Sequence, residues 1–298
     1  MDHTKFLATL PNDVKAALTS RSDKPGLAHL AGHFGAIVIV GCLILWRVPF
    51  WQFLLPIQGI LIMFLFTLEH EATHKTPFRT EWINELVGRL CGVLIILPFT
   101  WFRFFHLAHH RYTNVPGKDP ELLAGAKPEN WPAFVWHVTG IPYWRSMIQM
   151  MLSNAFGKNV SDFVPAAAAA RVRTEARWML ALYAALTVVV AAGASGLVWA
   201  WIIPLIIGQP FLRIYLLAEH GRCPFVANMF ENTRTTFTNT IVRFFAWNMP
   251  YHIEHHTYPN VPYHKLPDLH ILAAEHLVET ERGYVRFASR YVAGFSAK

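Results

Sequence analysis

The sequence predicts an all-α integral membrane protein with four transmembrane helices arranged as two hairpins. Three observations predict it. Hydrophobic residues make up 53% of the 298 and charged residues only 15%, a balance far from that of a soluble domain. Four apolar runs, at 30–46, 51–68, 178–194 and 197–218, each approach the roughly 20 residues that a helix needs to cross a bilayer. Finally, of 26 Lys and Arg only Arg47 falls in a turn expected on the outer side, which assigns both termini and the central region to the cytosol.

Each element follows from local signals. The first two runs are separated only by "RVPF" around Pro49 and the last two by "AGASG", so each pair goes out and returns through a tight turn. Phe6, Leu7, Leu10, Val14 and Leu18 recur at helical spacing, which predicts an amphipathic helix on the membrane surface within 1–28 and no cleaved signal peptide. The first hairpin then occupies 30–68, the second 178–218, and the remainder forms a cytosolic cap, all within a single domain over 1–298. "PAAAAARVR" near Ala166 reads as a helix start. Arg171, Arg173 and Arg177 precede the third run. The net charge of +7 is read as contact with anionic headgroups, with no nucleic-acid partner. Cys42, Cys91 and Cys223 are odd in number and scattered, as reduced structural thiols would be.

Histidine carries the chemistry. Nine of the 16 histidines fall in four places: His70 and His74 in "HEATH", His106, His109 and His110 in "HLAHH", His220 in "AEHG", and His252, His255 and His256 in "HIEHH". Residues at i, i+3 and i+4 share one helix face with Cβ atoms about 5–6 Å apart, so each cluster aims its rings one way. "HEATH" follows the second run and "AEHG" ends the fourth, which sets both at the cytosolic mouth of the membrane. For "HLAHH" to join them, the apolar stretch 86–105 must not cross; it is read as re-entrant or interfacial, broken at Pro98. The stretch 131–152 is read as amphipathic and surface-lying. His3, His29, His33, His137, His264, His270 and His276 are read as structural.

Crowded imidazoles beside a bilayer are costly unless something binds their lone pairs, and neutral imidazole suits iron, zinc, copper or nickel. "HEATH" alone also matches the H-E-x-x-H zinc-protease pattern, with Glu71 as general base. Nine nitrogens exceed what one zinc ion takes. Two metal ions with open positions fit the count better, with redox iron favoured and copper or zinc compatible with the ligand type.

The three boxes in this order around the hydrophobic hairpins resemble the membrane fatty-acid desaturase and hydroxylase superfamily, over roughly residues 30–275, and the tail "NMPYHIEHHTYPNVPYHKLPDLH" is similar to desaturase-like bacterial members. His220 matches that superfamily's additional ligand. The resemblance implies a mushroom-shaped molecule whose cytosolic cap holds two iron ions on the nine histidines. O2 is the implied co-substrate, an unactivated C–H bond the target, and the bacterial cytoplasmic membrane the implied location. Glu69, Glu71, Asp119, Glu219, Asn248 and Glu254 stand close enough in sequence to be acceptors that fix the imidazoles. The first box departs from the acyl-coenzyme A desaturases, being five residues long and beginning "HE" rather than "HD". No haem or nucleotide signature occurs in the chain, so electrons are expected from a ferredoxin, rubredoxin or cytochrome, with Arg103, Arg111, Arg234 and Arg243 as docking candidates. The expected reaction is desaturation of a lipid acyl chain or similar amphiphile. Hydroxylation or ketolation, desaturation of a small amino-acid-derived metabolite, a zinc protease and a non-catalytic metal carrier stay open as alternatives. Trp101, Phe102, Phe104, Phe105, Tyr143 and Trp144 are candidates for pocket lining, although packing accounts for them equally.

Overall fold

The computed structural model describes residues 1–157 and 161–295. Four helices are long and apolar enough to cross a membrane: Asn12–Leu45, Trp51–Thr73, Ala166–Ala191 and Val198–His220. The second outruns its apolar run, because "HEATH" continues the same helix instead of following it.

The second and fourth of these helices cross backbone against backbone. A Cβ on Gly59 would meet the Pro204 carbonyl and the Gly208 backbone, and one on Gly208 would meet the backbone of Gly59. Small residues are what permit such approach where lipid offers no hydrophobic drive. Next to Gly59, the buried Gln58 donates from Nε2 to the Ala200 carbonyl at 3.1 Å, within the π-helical turn Val198–Ile202. The first helix is tied in through His33, whose Nε2 reaches the Leu61 carbonyl at 2.9 Å while Nδ1 accepts from the Trp247 indole at 3.1 Å. The third packs on Ile141–Phe156 through Met151, Ala155, Ala176 and Met179.

Between these elements the chain makes one sharp reversal. The helices Glu81–Ile95 and Phe99–Tyr112 meet at 100°, with Ile96 left-handed at φ 60. Phe99 then folds back over Gly88, whose missing side chain leaves room for the ring. The carbonyls exposed where the first helix ends are claimed from outside: Tyr183 Oη donates to Val93 at 2.9 Å and Trp201 Nε1 to Leu94 at 2.8 Å. A helix end shielded from water needs such donors for its last carbonyls.

Two features differ from the sequence reading. The segment expected as one surface helix is two, His3–Thr9 and Asn12–Thr19. Its Phe6 and Leu18 are buried against the protein, with the Phe6 ring 5.6 Å from that of Phe230, while Leu7, Leu10 and Val14 stay partly exposed. The fold is also not purely helical: Thr235–Phe237 pairs in parallel with Thr280–Arg282, which brings the C-terminal segment against Thr235, a hydrogen-bond partner of Glu254 in the last histidine box. Cys42, Cys91 and Cys223 are all free thiols.

The glycine crossing makes a direct prediction. Gly59→Val forces apart the helices that carry the first box and His220, and overpacking of this kind costs about 1–3 kcal/mol. The thermal midpoint of the purified variant in detergent should fall, and metal content per chain with it. Gly59→Ala should move both in the same direction by less, because even one methyl group meets backbone there.

Candidate metal centre

Each histidine box sits where a helix stops. His70 lies in the last turn of Leu65–Thr73 and His74 is its C-cap. His106, His109 and His110 fill the last two turns of Phe99–Tyr112, and His220 closes Ile203–His220. His252, His255 and His256 make up half of the short helix His252–Thr257. Just beyond or before these residues the backbone turns left-handed at Lys75, Asn114, Arg222, Trp247 and Asn248. None is glycine, and such conformations persist only where the surroundings enforce them.

The nine rings converge. His74 and His106 face each other Nε2 to Nε2 at 2.8 Å, and His110 and His255 at 3.1 Å. His220 Nε2 lies 3.2 Å from both His109 Nε2 and His252 Nε2. The nitrogens form two sets suited to hold a metal ion: His70, His74, His106, His110 and His255 in one, and His109, His220 and His256 in the other, the atoms within a set lying inside 4.8 Å of one another. His252 stands between, its ring 6.0 Å from that of His70 and 5.0 Å from that of His220.

The far side of each ring decides what the near side offers. His220 Nδ1 faces the Asn232 carbonyl at 3.1 Å, and a carbonyl only accepts, so Nδ1 carries the hydrogen and Nε2 a lone pair. Asp119 fixes His109 in the same way through Nδ1 at 2.9 Å. The two Nε2 atoms therefore face each other across 3.2 Å, an arrangement that either a proton on His109 Nε2 or a bound metal ion relieves. This donor set fits a metal site.

Burial keeps those lone pairs free. It holds His106, His110, His252 and His256 well below the usual imidazole range, neighbouring imidazoles adding to the effect, and brings His74 and His255 down to about 3. His109 is the exception: burial lowers it too, but Glu121 and Asp119 outweigh burial and raise it.

The six expected acceptors divide. Asp119 bonds His109, while Glu219 stands 3.5 Å from His252 Nδ1 and Glu71 stands 3.4 Å from His255 Nδ1. Glu254 instead bonds Thr235 Oγ1 at 2.5 Å and His270 Nδ1, Asn248 donates to the Tyr263 carbonyl at 3.1 Å, and Glu69 is buried with neither carboxylate oxygen partnered. Sequence reasoning missed the Asn232 carbonyl, Thr113 Oγ1 beside His256 Nδ1 at 3.2 Å, and Glu121, whose Oε2 lies 3.5 Å from His109 Nε2. Only Glu121, two residues after Asp119, carried a signal in its position. Of the docking candidates, Arg103 pairs with Glu85 at 2.5 Å and Arg234 with Glu279 at 2.9 Å, Arg243 bonds Tyr251 Oη at 2.8 Å, and Arg111 is exposed.

A cavity of about 1530 Å³ opens against this centre and reaches His70, His106, His109 and His252. Phe66, Trp101, Phe102, Phe105, Met147 and Met150 supply an apolar wall. Trp101, Phe102, Phe105 and Tyr143 thus line it, whereas Phe104 and Trp144 pack outside.

The depressed imidazoles predict how metal-free protein responds to acid. Unfolded, these side chains take up protons near 6.5; folded, His74, His106, His110, His252, His255 and His256 refuse them. Stability is thus fully present above that value and is lost as pH falls through it, by up to about 1.4 kcal/mol per pH unit for each refused proton. His109, with its raised value, opposes this as one group against six. Melting of chelator-treated protein should drop steeply between pH 7 and pH 5, a window set by the unfolded imidazole value; a flat profile contradicts buried neutral rings.

Comparison with known proteins agrees with this geometry. The fatty acid desaturase family model matches residues 46–288. An sn-1 oleoyl-lipid 12-desaturase of Picosynechococcus sp. is 36% identical over 103 residues, covering 33% of this chain and 29% of that protein. An sn-1 acyl-lipid omega-3 desaturase (ferredoxin) of Nostoc sp. is 32% identical over 120 residues, 38% and 33% of the two chains, and an sn-1 oleoyl-lipid 12-desaturase of Arthrospira platensis 25% identical over 245 residues, 72% and 66%. The matched region is thus about a third of the first two relatives and two thirds of the third. Because the family match runs over most of the chain and takes in every histidine of the centre, the protein belongs to the fatty acid desaturase family of oxidoreductases.

Proposed function

We propose that the protein is an O2-dependent di-iron desaturase that introduces a double bond into a lipid acyl chain or a similar amphiphile at the cytosolic face of a membrane. The observation that carries this reading is the juxtaposition of opposed imidazole lone pairs with an apolar-walled cavity. His70, His74, His106, His110 and His255 would hold one ion, and His109, His220, His252 and His256 the other. Bound iron supplies activation of O2 and removal of hydrogen from the acyl chain.

The chain's own side chains supply placement. Asp119 and the Asn232 carbonyl each hold a proton on the outer nitrogen of a ring, at His109 Nδ1 and His220 Nδ1, and so aim its lone pair inward. Phe66, Phe102 and Phe105 exclude water from the space beside His70 and His106 and hold a methylene chain there by contact. Two hairpins with cytosolic termini put this opening level with the inner leaflet, in keeping with the distribution of Lys and Arg. A separate donor delivers electrons: a ferredoxin, as the name of the Nostoc relative suggests, or a rubredoxin or cytochrome with its reductase.

The zinc-protease reading loses its general base. Glu71 is fully buried, and its Oε2 accepts from Thr76 at 2.7 Å and from the Tyr263 backbone at 3.2 Å, which leaves it engaged away from the cavity.

Co-expression with a ferredoxin and its reductase, followed by profiling of total acyl chains, tests the proposal. New unsaturated chains should accumulate, and His106→Ala or His252→Ala should reduce them at least about a hundredfold, as loss of a group needed for the chemistry does, and lower the two-iron content of the purified protein. An oxygenated product carrying label from 18O2 would reassign the protein as a hydroxylase or ketolase. One metal ion per chain with no change in acyl composition would sink the reading.

A further inference from the structure

The chemistry proposed above leaves Arg213 without a task. It lies in the membrane-spanning part of Ile203–His220, two turns before His220 and therefore on the same face. An arginine at such a position is costly unless it meets a partner. Its guanidinium stands 4.3 Å over the Tyr143 ring, but Nε and Nη2 are buried without a hydrogen-bond partner.

The nearby carboxylates are otherwise engaged. Glu121 lies 3.6 Å from Lys127 Nζ and Glu219 lies 3.5 Å from His252, and Arg213 forms no ion pair among the described residues. One further polar atom on the same cavity wall is also buried and without a hydrogen-bond partner among the described residues: Tyr143 Oη. Two helices, Ile141–Phe156 and Ile203–His220, thus turn unsatisfied polar groups toward one end of a cavity whose other wall is apolar.

We propose that Arg213, with Tyr143, forms a binding site for the carboxylate of a fatty acid, so that the ligand's charged end is enclosed in the protein while its chain lies along Phe66, Phe102 and Phe105 beside His70. A carboxylate matches the planar fork of a guanidinium and accepts from several donors at once. Adjacent apolar and polar walls select an amphiphile rather than a small polar anion. Calling that ligand a substrate rests on the desaturase reading; the binding site rests on its own geometry.

Binding to the purified, metal-loaded protein in a non-ionic detergent separates the two claims, since it needs no turnover. Dodecanoate, methyl dodecanoate and dodecyl phosphate are titrated by calorimetry. Dodecanoate should bind at least about tenfold tighter than its methyl ester, the least that a charge-assisted bond to a buried guanidinium supplies. Arg213→Gln should abolish that preference while moving the ester's Kd less than about twofold, Arg213→Lys should keep part of it, and Tyr143→Phe should weaken only the acid. If Arg213→Gln fails to fold, the Lys and Phe variants decide by the same ratio. Equal affinity for acid and ester in the unsubstituted protein, or a preference undiminished in Arg213→Gln, Arg213→Lys and Tyr143→Phe, overturns the site, and tighter binding of dodecyl phosphate reassigns it to lipid phosphates. Loss of desaturase activity in the metal-loaded protein leaves this result standing, and the reverse also holds.

Discussion

Imidazole nitrogens that face one another at the buried end of a cavity are the constraint from which the rest of the structure follows. Neutral imidazoles are cheap to bury when a hydrogen bond or a metal takes up their nitrogens, and costly when neither does. Here the outer nitrogens of His109 and His220 are occupied by Asp119 and Asn232, which turns the remaining lone pairs onto one another. A proton on His109 Nε2 or a bound metal ion relieves that arrangement. The helices around it are built to keep the rings from swinging away: the glycine crossing fixes the register of the first box against His220, and left-handed Lys75, Asn114 and Arg222 turn the chain just after the first box, the second box and His220.

Depth imposes the second demand. The first box and His220 ride on helices long and apolar enough to span a membrane, so the other two boxes must reach the same level by different routes. For His106, His109 and His110 the route is the reversal at Ile96, where a helix enters, ends and leaves at 100°. Its cost is a set of bare carbonyls at the end of a helix, offset by Tyr183 and Trp201 from the third and fourth of these helices. Through Tyr183 the third helix, which carries no histidine of the centre, still bears on where the second box lies.

Much of this was legible because spacing on a helix is a one-dimensional signal. The boxes at i, i+3 and i+4, the four apolar runs and the break at Pro98 need no knowledge of the fold. What was not legible is the identity of the groups behind the rings. Glu254 lies inside its box, yet at about 100° per residue it points away from the face that carries His252, His255 and His256, and it bonds His270 instead. Asn248 precedes His252 by four residues, but the helix starts only at His252, so the spacing means nothing there. The Asn232 carbonyl is a backbone group that no residue type announces. The N-terminal pattern of Phe6 to Leu18 is ambiguous for a related reason: amphipathic periodicity reports that a face is covered, and a bilayer and a protein core leave the same trace.

The centre and the wall opposite it are held to different degrees. Seven of the nine histidines, together with Glu71 and Asp119, are buried on elements packed from several sides, His74 and His110 being partly covered. The facing wall draws on Trp131–Val138, in which no residue is buried, and on Ile141–Phe156, where Tyr143 remains partly exposed. A substitution in the centre disturbs opposed lone pairs, whereas one in the facing wall changes only the shape or polarity of the space beside them. Reaction type and ligand choice therefore rest on separate sets of contacts.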